Sequence, residues 1–179
     1  MAKLKHLIDP DGCSEAVDCN GRSVVFSGDT RPCHPLVDAC DGADLLIHET
    51  FPSAPVFAQK AGVPVGFAEQ VVNGAHTSPT MAGKVFARAG ARMSAMWHLA
   101  VDHQVVGPAC ADVRTQYEGP VTIAQDLTTF DISADAVVTR QSTIDPAAWP
   151  VLGPTNVTGP PMSPVPEPPA WWAEALLTD

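Results

Sequence analysis

Short apolar runs alternate with segments of helical periodicity through the first half of the chain. Residues 23–27 form a β-branched and aromatic run that ends at Gly28-Asp29-Thr30, which is typical of a buried strand followed by a loop. Apolar positions then recur at helical spacing over 35–42, and a second apolar run over 43–47 ends at His48-Glu49-Thr50. This alternation of strand, helix and strand predicts an α/β fold.

The same pattern continues along the chain to about residue 139. It predicts a helix over 79–89, capped by Thr77 or Ser78 and ended by Gly90. Further strands are predicted over 3–8, 92–96, 121–124 and 128–132, and a further helix over 105–117. Residues 51–75 contain three prolines and one short helical pattern over 56–61, which favours a lid or a substrate-facing loop.

The chain is predicted to have three parts. Residues 1–22 form a polar entry segment or a hairpin, residues 23–144 the α/β domain, and residues 145–179 a tail rich in proline and tryptophan. A proline-rich tail cannot donate a regular ladder of hydrogen bonds, so it is expected to be extended. We interpret it as a strap anchored by its tryptophans, with a ligand for a proline-recognition groove as the alternative.

Composition narrows the class of function. Twenty acidic residues against ten basic ones give a formal charge of −10, and no basic cluster is present, which disfavours a nucleic-acid partner and favours a small-molecule substrate. No apolar run approaches the length of a membrane span or a signal peptide, so we expect a cytoplasmic protein with no membrane partner. Five cysteines without a CxxC pair argue against a disulfide framework, and the neighbouring Cys33 and His34 are a weak candidate for a reactive pair.

Ionisable residues follow successive predicted strands. Asp29, the pair His48-Glu49 and His98 each come directly after a strand, and His76 comes directly before a helix. Taken singly, each is explained as a turn residue or a satisfied core histidine. Because the strand ends of such sheets gather functional groups, the set together predicts one site at one edge of the sheet.

Three of these segments resemble successive motifs of the ribonuclease Z-like branch of the metallo-β-lactamase superfamily. They are Ser27-Gly28-Asp29-Thr30-Arg31-Pro32, Leu45-Leu46-Ile47-His48-Glu49-Thr50-Phe51 and Ala75-His76-Thr77-Ser78-Pro79-Thr80, with His98 following in the same order. The resemblance spans residues 22–133. It implies the C-terminal half of the αββα sandwich of that superfamily, followed by the Pro/Trp-rich tail.

The resemblance also implies residue roles in a zinc-dependent hydrolase that uses a metal-bound hydroxide on an ester, phosphoester or lactam. Asp29 resembles the carboxylate that bridges two zinc ions, and His98 the last histidine ligand of the second ion. His76 resembles the histidine that protonates the leaving group, and Glu49, in a catalytic motif with His48, the carboxylate that orients it. If Asp29 and His98 serve one dinuclear centre, their side chains must lie within about 8 Å of each other.

The sequence departs from the family in one large respect. The His-x-His-x-Asp-His cluster is absent from these 179 residues, and His6, His34 and His103 are isolated. The ligand set is therefore incomplete, and the α/β half is expected to expose an apolar sheet face, which implies a homo-oligomer or a missing N-terminal half. The alternative function is a non-catalytic remnant of the fold that acts through self-association or its tail.

Overall fold

The computed structural model describes residues 3–6, 14–143 and 177. A six-stranded sheet with the spatial order β1-β2-β3-β4-β5-β6 forms its centre. The first three strands are antiparallel, and β3 to β6 are parallel. The strands are β1 (Lys3–His6), β2 (Glu15–Cys19), β3 (Arg22–Phe26), β4 (Leu45–Glu49), β5 (Met93–Trp97) and β6 (Val121–Ile123).

Within the described residues, five helices connect or flank the parallel strands. They are α1 (His34–Ala39), α2 (Ala54–Ala61), α3 (Val65–Ala75), α4 (Pro79–Ala89) and α5 (His103–Arg114), and a separate hairpin of β7 (Thr128–Ile132) and β8 (Val137–Gln141) follows. One face of the sheet carries the main core, in which Leu36 of α1 and Phe86 of α4 pack with Leu46 and Met96 of the sheet. None of the helices in the described ranges is long and apolar enough to cross a membrane.

The ends of α4 follow from its flanking residues. The Ser78 hydroxyl accepts a hydrogen bond from the backbone N–H of Met81 at 3.4 Å, which satisfies one of the free donors of the first turn. Gly90 ends the helix with a φ of 60°, in the left-handed region where glycine is favoured. The bounds predicted from the sequence, 79–89, agree with those observed.

The predicted fold class is confirmed, and the short helix predicted over 56–61 corresponds to α2. The rest of the segment up to residue 75 was expected to be a loop, whereas it contains α3. Strand β8 was not predicted, and β2 had no predicted bounds; β2 brings part of the predicted N-terminal segment into the main sheet by pairing with β3. The Pro/Trp-rich tail lies outside the described residues, except for Leu177, whose N–H donates to the carbonyl of Pro32 at 3.0 Å.

The second face of the sheet is apolar and only partly covered. Val24, Phe26, Leu45, Ile47 and Trp97 line a groove of about 490 Å³ together with residues of β7. Phe26 and Trp97 remain 39% and 38% exposed. An apolar sheet face open to solvent was expected from the sequence, and this partly exposed groove is such a face.

An ion-pair network joins the sheet at the edge where the parallel strands begin. Asp44 accepts from the backbone N–H of Ser23 at 2.9 Å, from Arg22 at 3.2 Å and from Arg92 at 2.5 Å. Burial raises the pKa of the Asp44 carboxyl, but the Ser23 N–H and the two guanidinium groups outweigh it and lower the pKa below its ordinary value. Because Arg22, Asp44 and Arg92 lie at the starts of β3, β4 and β5, the network is at the edge of the sheet opposite the ends of these strands.

Gly83 allows close packing of α4 on α5, and replacing it with alanine should destabilise the fold. An added Cβ would lie 2.6 Å from the Val113 carbonyl oxygen and 3.0 Å from Gln116 Cβ. Alanine is favoured over glycine in a helix by about 1 kcal/mol, whereas overpacking costs about 1–3 kcal/mol. We therefore expect the free energy of unfolding, measured in urea, to fall. Gly74→Ala, in α3 with open space at its Cβ, is the matched control and should not destabilise. Equal stability of the Gly83→Ala variant would contradict the close contact.

Candidate metal and catalytic site

Three candidate ligand residues come together beyond the ends of the parallel strands. Asp29 follows β3, His98 follows β5, and His76 ends α3. One ligand atom from each of them lies within 4.8 Å of the others. We call Asp29, His76 and His98 the donor cluster. The expected convergence of these three residues is therefore observed.

The contact between Asp29 and His98 is direct. The Nδ1 atom of His98 lies 2.8 Å from Oδ1 of Asp29, far below the separation of about 8 Å that would exclude one dinuclear centre. The Asp29 side chain is 51% exposed and that of His98 35%, so a substrate from solvent can reach both. His98 has a φ of 62°, a left-handed conformation that is uncommon for residues other than glycine and concentrates at functional sites.

Glu49 lies behind the donor cluster and is fully buried. Its Oε1 atom accepts from the backbone N–H of Thr77 at 2.6 Å and from that of Thr30 at 3.4 Å, and lies 3.6 Å from Nδ1 of His76. The Thr77 hydroxyl also donates to the Thr30 carbonyl at 2.7 Å. One carboxylate at the end of β4 therefore holds the loop that carries Asp29 and the loop that carries His76.

His48 points away from the donor cluster, although it is the neighbour of Glu49 in the sequence. Successive side chains of a strand alternate between faces, and the His48 ring lies on the core side, 6.2 Å from the Phe86 ring in an edge arrangement. Its Nδ1 atom lies 2.5 Å from the Glu49 carbonyl oxygen, and burial lowers its pKa to about 4. A neutral, fully buried ring in this position packs the core, and we place it outside the chemistry.

Aromatic side chains surround the two histidines of the cluster. The Phe51 ring stacks on His76 with a centroid distance of 4.2 Å and an interplanar angle of 13°, and lies 5.8 Å from His98. Trp97 meets His98 edge-on at 5.9 Å. The sequence placed Phe51 in a motif without giving it a role, and its adjacency to His48-Glu49-Thr50 is the signal that pointed to it.

Cavities open on several sides of the cluster. The largest, about 760 Å³, is lined by Trp97 and His98 and by polar residues near the end of β8, among them Gln141. A cavity of about 320 Å³ on another side contains Phe51, Lys60 and His98. The smallest, about 180 Å³, contains Arg31, His76 and the buried Leu177. Cys33, which with His34 was a weak candidate for a reactive pair, is fully buried in the main core.

Comparison with known proteins connects this site to a family. No protein-family model matches the sequence. Ribonuclease Z of Myxococcus xanthus is 35% identical over 113 residues, and ribonuclease Z of Methanosarcina mazei is 33% identical over 113 residues; the match covers 63% of this chain and 33% of each relative. Over this part, the sequence is similar to those of curated ribonuclease Z proteins, as the three motifs predicted.

The solved structures agree on the fold. The metallo-β-lactamase fold protein YhfI from Bacillus subtilis superposes with a TM-score of 0.50 and 22% identity, over 69% of this chain and 46% of that one. The chain spans about a third of the length of the curated ribonuclease Z relatives it matches. The metallo-β-lactamase fold predicted from the motifs is thus confirmed.

One expectation is wrong. The sequence favoured a small-molecule substrate and no nucleic-acid partner, whereas the curated relatives are ribonucleases by name. The error has a physical cause, because the net charge of −10 sums the whole surface, whereas an RNA substrate meets only the charges near the site. Arg31 and Lys60 both line cavities that include a cluster histidine.

Proposed function

We propose that the chain carries the donor cluster of a metal-dependent phosphodiesterase that acts on RNA. The observation that supports it is the approach of the Asp29, His76 and His98 ligand atoms to within 4.8 Å of one another. The function of the ribonuclease Z relatives supports RNA as the substrate, and a phosphoester rather than a carboxylic ester or lactam as the bond. The metal is proposed to be zinc.

The donor set suits zinc. Zinc binds imidazole nitrogen and carboxylate oxygen, and catalytic zinc sites have about three protein ligands with one position open. Asp29 and His98 supply one carboxylate and one imidazole of such a set, so a zinc ion held by them would need at least one further donor beyond these two residues. When bound, zinc polarises a phosphoryl oxygen and lowers the pKa of water to about 7.

His76 is the proposed proton donor to the leaving oxygen. Its Nδ1 atom faces the buried Glu49 carboxylate at 3.6 Å, and the Phe51 ring stacks on one face of its imidazole. A carboxylate beside an imidazole fixes the orientation of the ring and favours its protonated form, which general acid catalysis requires. Glu49 therefore acts as a positioning residue, and Asp29 and His98 hold the metal.

The first experiment joins metal content to RNA cleavage in the full chain. We expect the purified protein to bind zinc with a stoichiometry near one, and to cleave a single-stranded RNA oligonucleotide when zinc is present. Chelation followed by dialysis should abolish cleavage, and added zinc should restore it. Bound zinc without cleavage would indicate a non-catalytic remnant, and the absence of bound zinc would contradict the metal site itself.

A further inference from the structure

The cavity of about 320 Å³ beside the donor cluster lies between α2 and the segments that follow β4 and β5. Its walls include Phe51, Pro52, Phe57, Lys60, His98 and Ala100. This volume falls at the lower end of the range of small-molecule sites. Because His98 belongs to both the cavity and the cluster, a group bound in the cavity lies next to the reacting bond.

The two phenylalanines give the cavity aromatic walls. Phe57 meets Phe51 at 5.0 Å with an interplanar angle of 71°, so the two rings form a corner. The His76 ring stacks on Phe51 and helps to fix its position. An aromatic corner of this kind suits a flat ring, and stacking on aromatic side chains is the usual way in which proteins bind unpaired bases.

A single cation lines the same cavity. The Lys60 ammonium lies 2.6 Å from Oδ2 of Asp102 and 3.3 Å from Oε1 of Gln104, so its position is fixed. Asp102 is in turn held as the N-cap of α5, accepting from the Gln104 and Val105 N–H groups at 2.8 Å and 3.1 Å. The Lys60 side chain is 30% exposed, so a phosphate from solvent can reach it.

We propose that this cavity binds the nucleobase of the nucleotide adjoining the scissile phosphodiester, with Lys60 facing the RNA backbone. The proposal rests on the proposed function, because it needs an RNA phosphate at the donor cluster. The aromatic corner, the fixed cation and the shared His98 each match one part of a nucleotide: base, phosphate and reacting bond. The larger cavity, which also includes His98, is lined by Asp126 and by no lysine or arginine, which suits a phosphate less well.

The kinetic test compares two substrates with the same leaving group. One is the p-nitrophenyl ester of uridine 5′-phosphate, and the other carries a tetrahydrofuran in place of the nucleoside sugar and base. In the unaltered protein, kcat/KM should be higher for the uridine ester than for the tetrahydrofuran ester. In Phe57→Ala, the ratio of these two values should fall roughly tenfold, mainly through a higher KM for the uridine ester, because stacking on the base is lost. Phe67→Ala is the matched control: Phe67 is 51% exposed on α3 and does not line the cavity. A ratio that stays unchanged in Phe57→Ala would overturn the proposal.

A binding test separates this proposal from the proposed function. If the chain hydrolyses neither ester, the phosphodiesterase proposal fails. The nucleobase site is then tested by the binding of uridine 5′-monophosphate to the metal-free protein. Saturation-transfer NMR should detect contact with the uracil protons, reduced in Phe57→Ala but not in Phe67→Ala. Lys60→Met should weaken binding of uridine 5′-monophosphate more than that of uridine. No transfer to the uracil protons in the unaltered protein would refute the nucleobase site.

Discussion

Replacing Asp29 by alanine should reduce metal-dependent hydrolysis of bis(p-nitrophenyl) phosphate to the level of the chelated protein. Asp29 lies 2.8 Å from His98, and these two residues are the proposed metal ligands, so the loss of Asp29 leaves only the His98 imidazole to hold a metal. One protein ligand is far fewer than catalytic zinc sites use, and zinc affinity should fall together with activity. Asp38→Ala, an exposed carboxylate on α1, should change neither.

His76→Ala should behave differently on the same substrate. Proton donation typically contributes a factor of about 10²–10⁴, but p-nitrophenolate leaves without needing a proton. The variant should therefore hydrolyse the nitrophenyl diester at most of the rate of the unaltered protein. It should cleave RNA much more slowly, because the alkoxide of the ribose leaves poorly without a proton. Zinc titration of both variants gives a second readout. Activity that survives both chelation and Asp29→Ala would be incompatible with a metal mechanism. A loss of zinc affinity in His76→Ala equal to that in Asp29→Ala would make His76 a ligand rather than a proton donor.

The free energy of unfolding should fall as the pH is lowered from about 6.5 to about 4, because His48 cannot be protonated in the folded state without cost. Burial lowers its pKa from 6.5 to about 4. Between these two pH values the unfolded chain binds a proton at His48 and the folded chain does not, so acid favours unfolding. The full difference is worth about 3 kcal/mol.

Urea unfolding at pH 7 and at pH 4.5 measures this effect, and His48→Asn identifies its source. Asparagine keeps an N–H group near the Glu49 carbonyl but does not titrate, so the variant should lose less stability than the unaltered protein between the two pH values. His103→Asn is the control, because His103 is exposed at the start of α5. A variant whose stability falls as steeply as that of the unaltered protein would show that His48 is not the group responsible.

The parts of the site that depend on strand ends were predictable from the sequence. Asp29 and His98 follow apolar runs that are typical of strands, and the ends of parallel strands meet at one edge of a sheet, so their approach was expected from the pattern. Helix α3 was not predictable in the same way, because it begins after Pro64 without a side-chain cap and carries few charges to mark an outer face. Its presence places His76 at a helix end rather than in a long loop.

Contacts between distant segments could not be predicted from the sequence. The pairing of Lys60 with Asp102, and the corner formed by Phe51 and Phe57 beside His98, depend on how α2 packs against the end of β5. The difference between His48 and Glu49 shows the same limit on a smaller scale. Both were assigned to catalysis from one motif, yet alternation along the strand directs one ring to the core and the neighbouring carboxylate to the site.

The way in which Glu49 joins Thr30 and Thr77 has a consequence for how the protein acquires its site during folding. The three groups lie in separate segments of the chain, and they meet when β3 and β4 are aligned in the parallel sheet; His98 joins them when β5 pairs with β4. Such nonlocal pairing is slow, because chain closure must precede the contacts that reward it. The donor cluster should therefore mature in the last steps of folding, and zinc uptake in a refolding experiment would time the completion of the sheet.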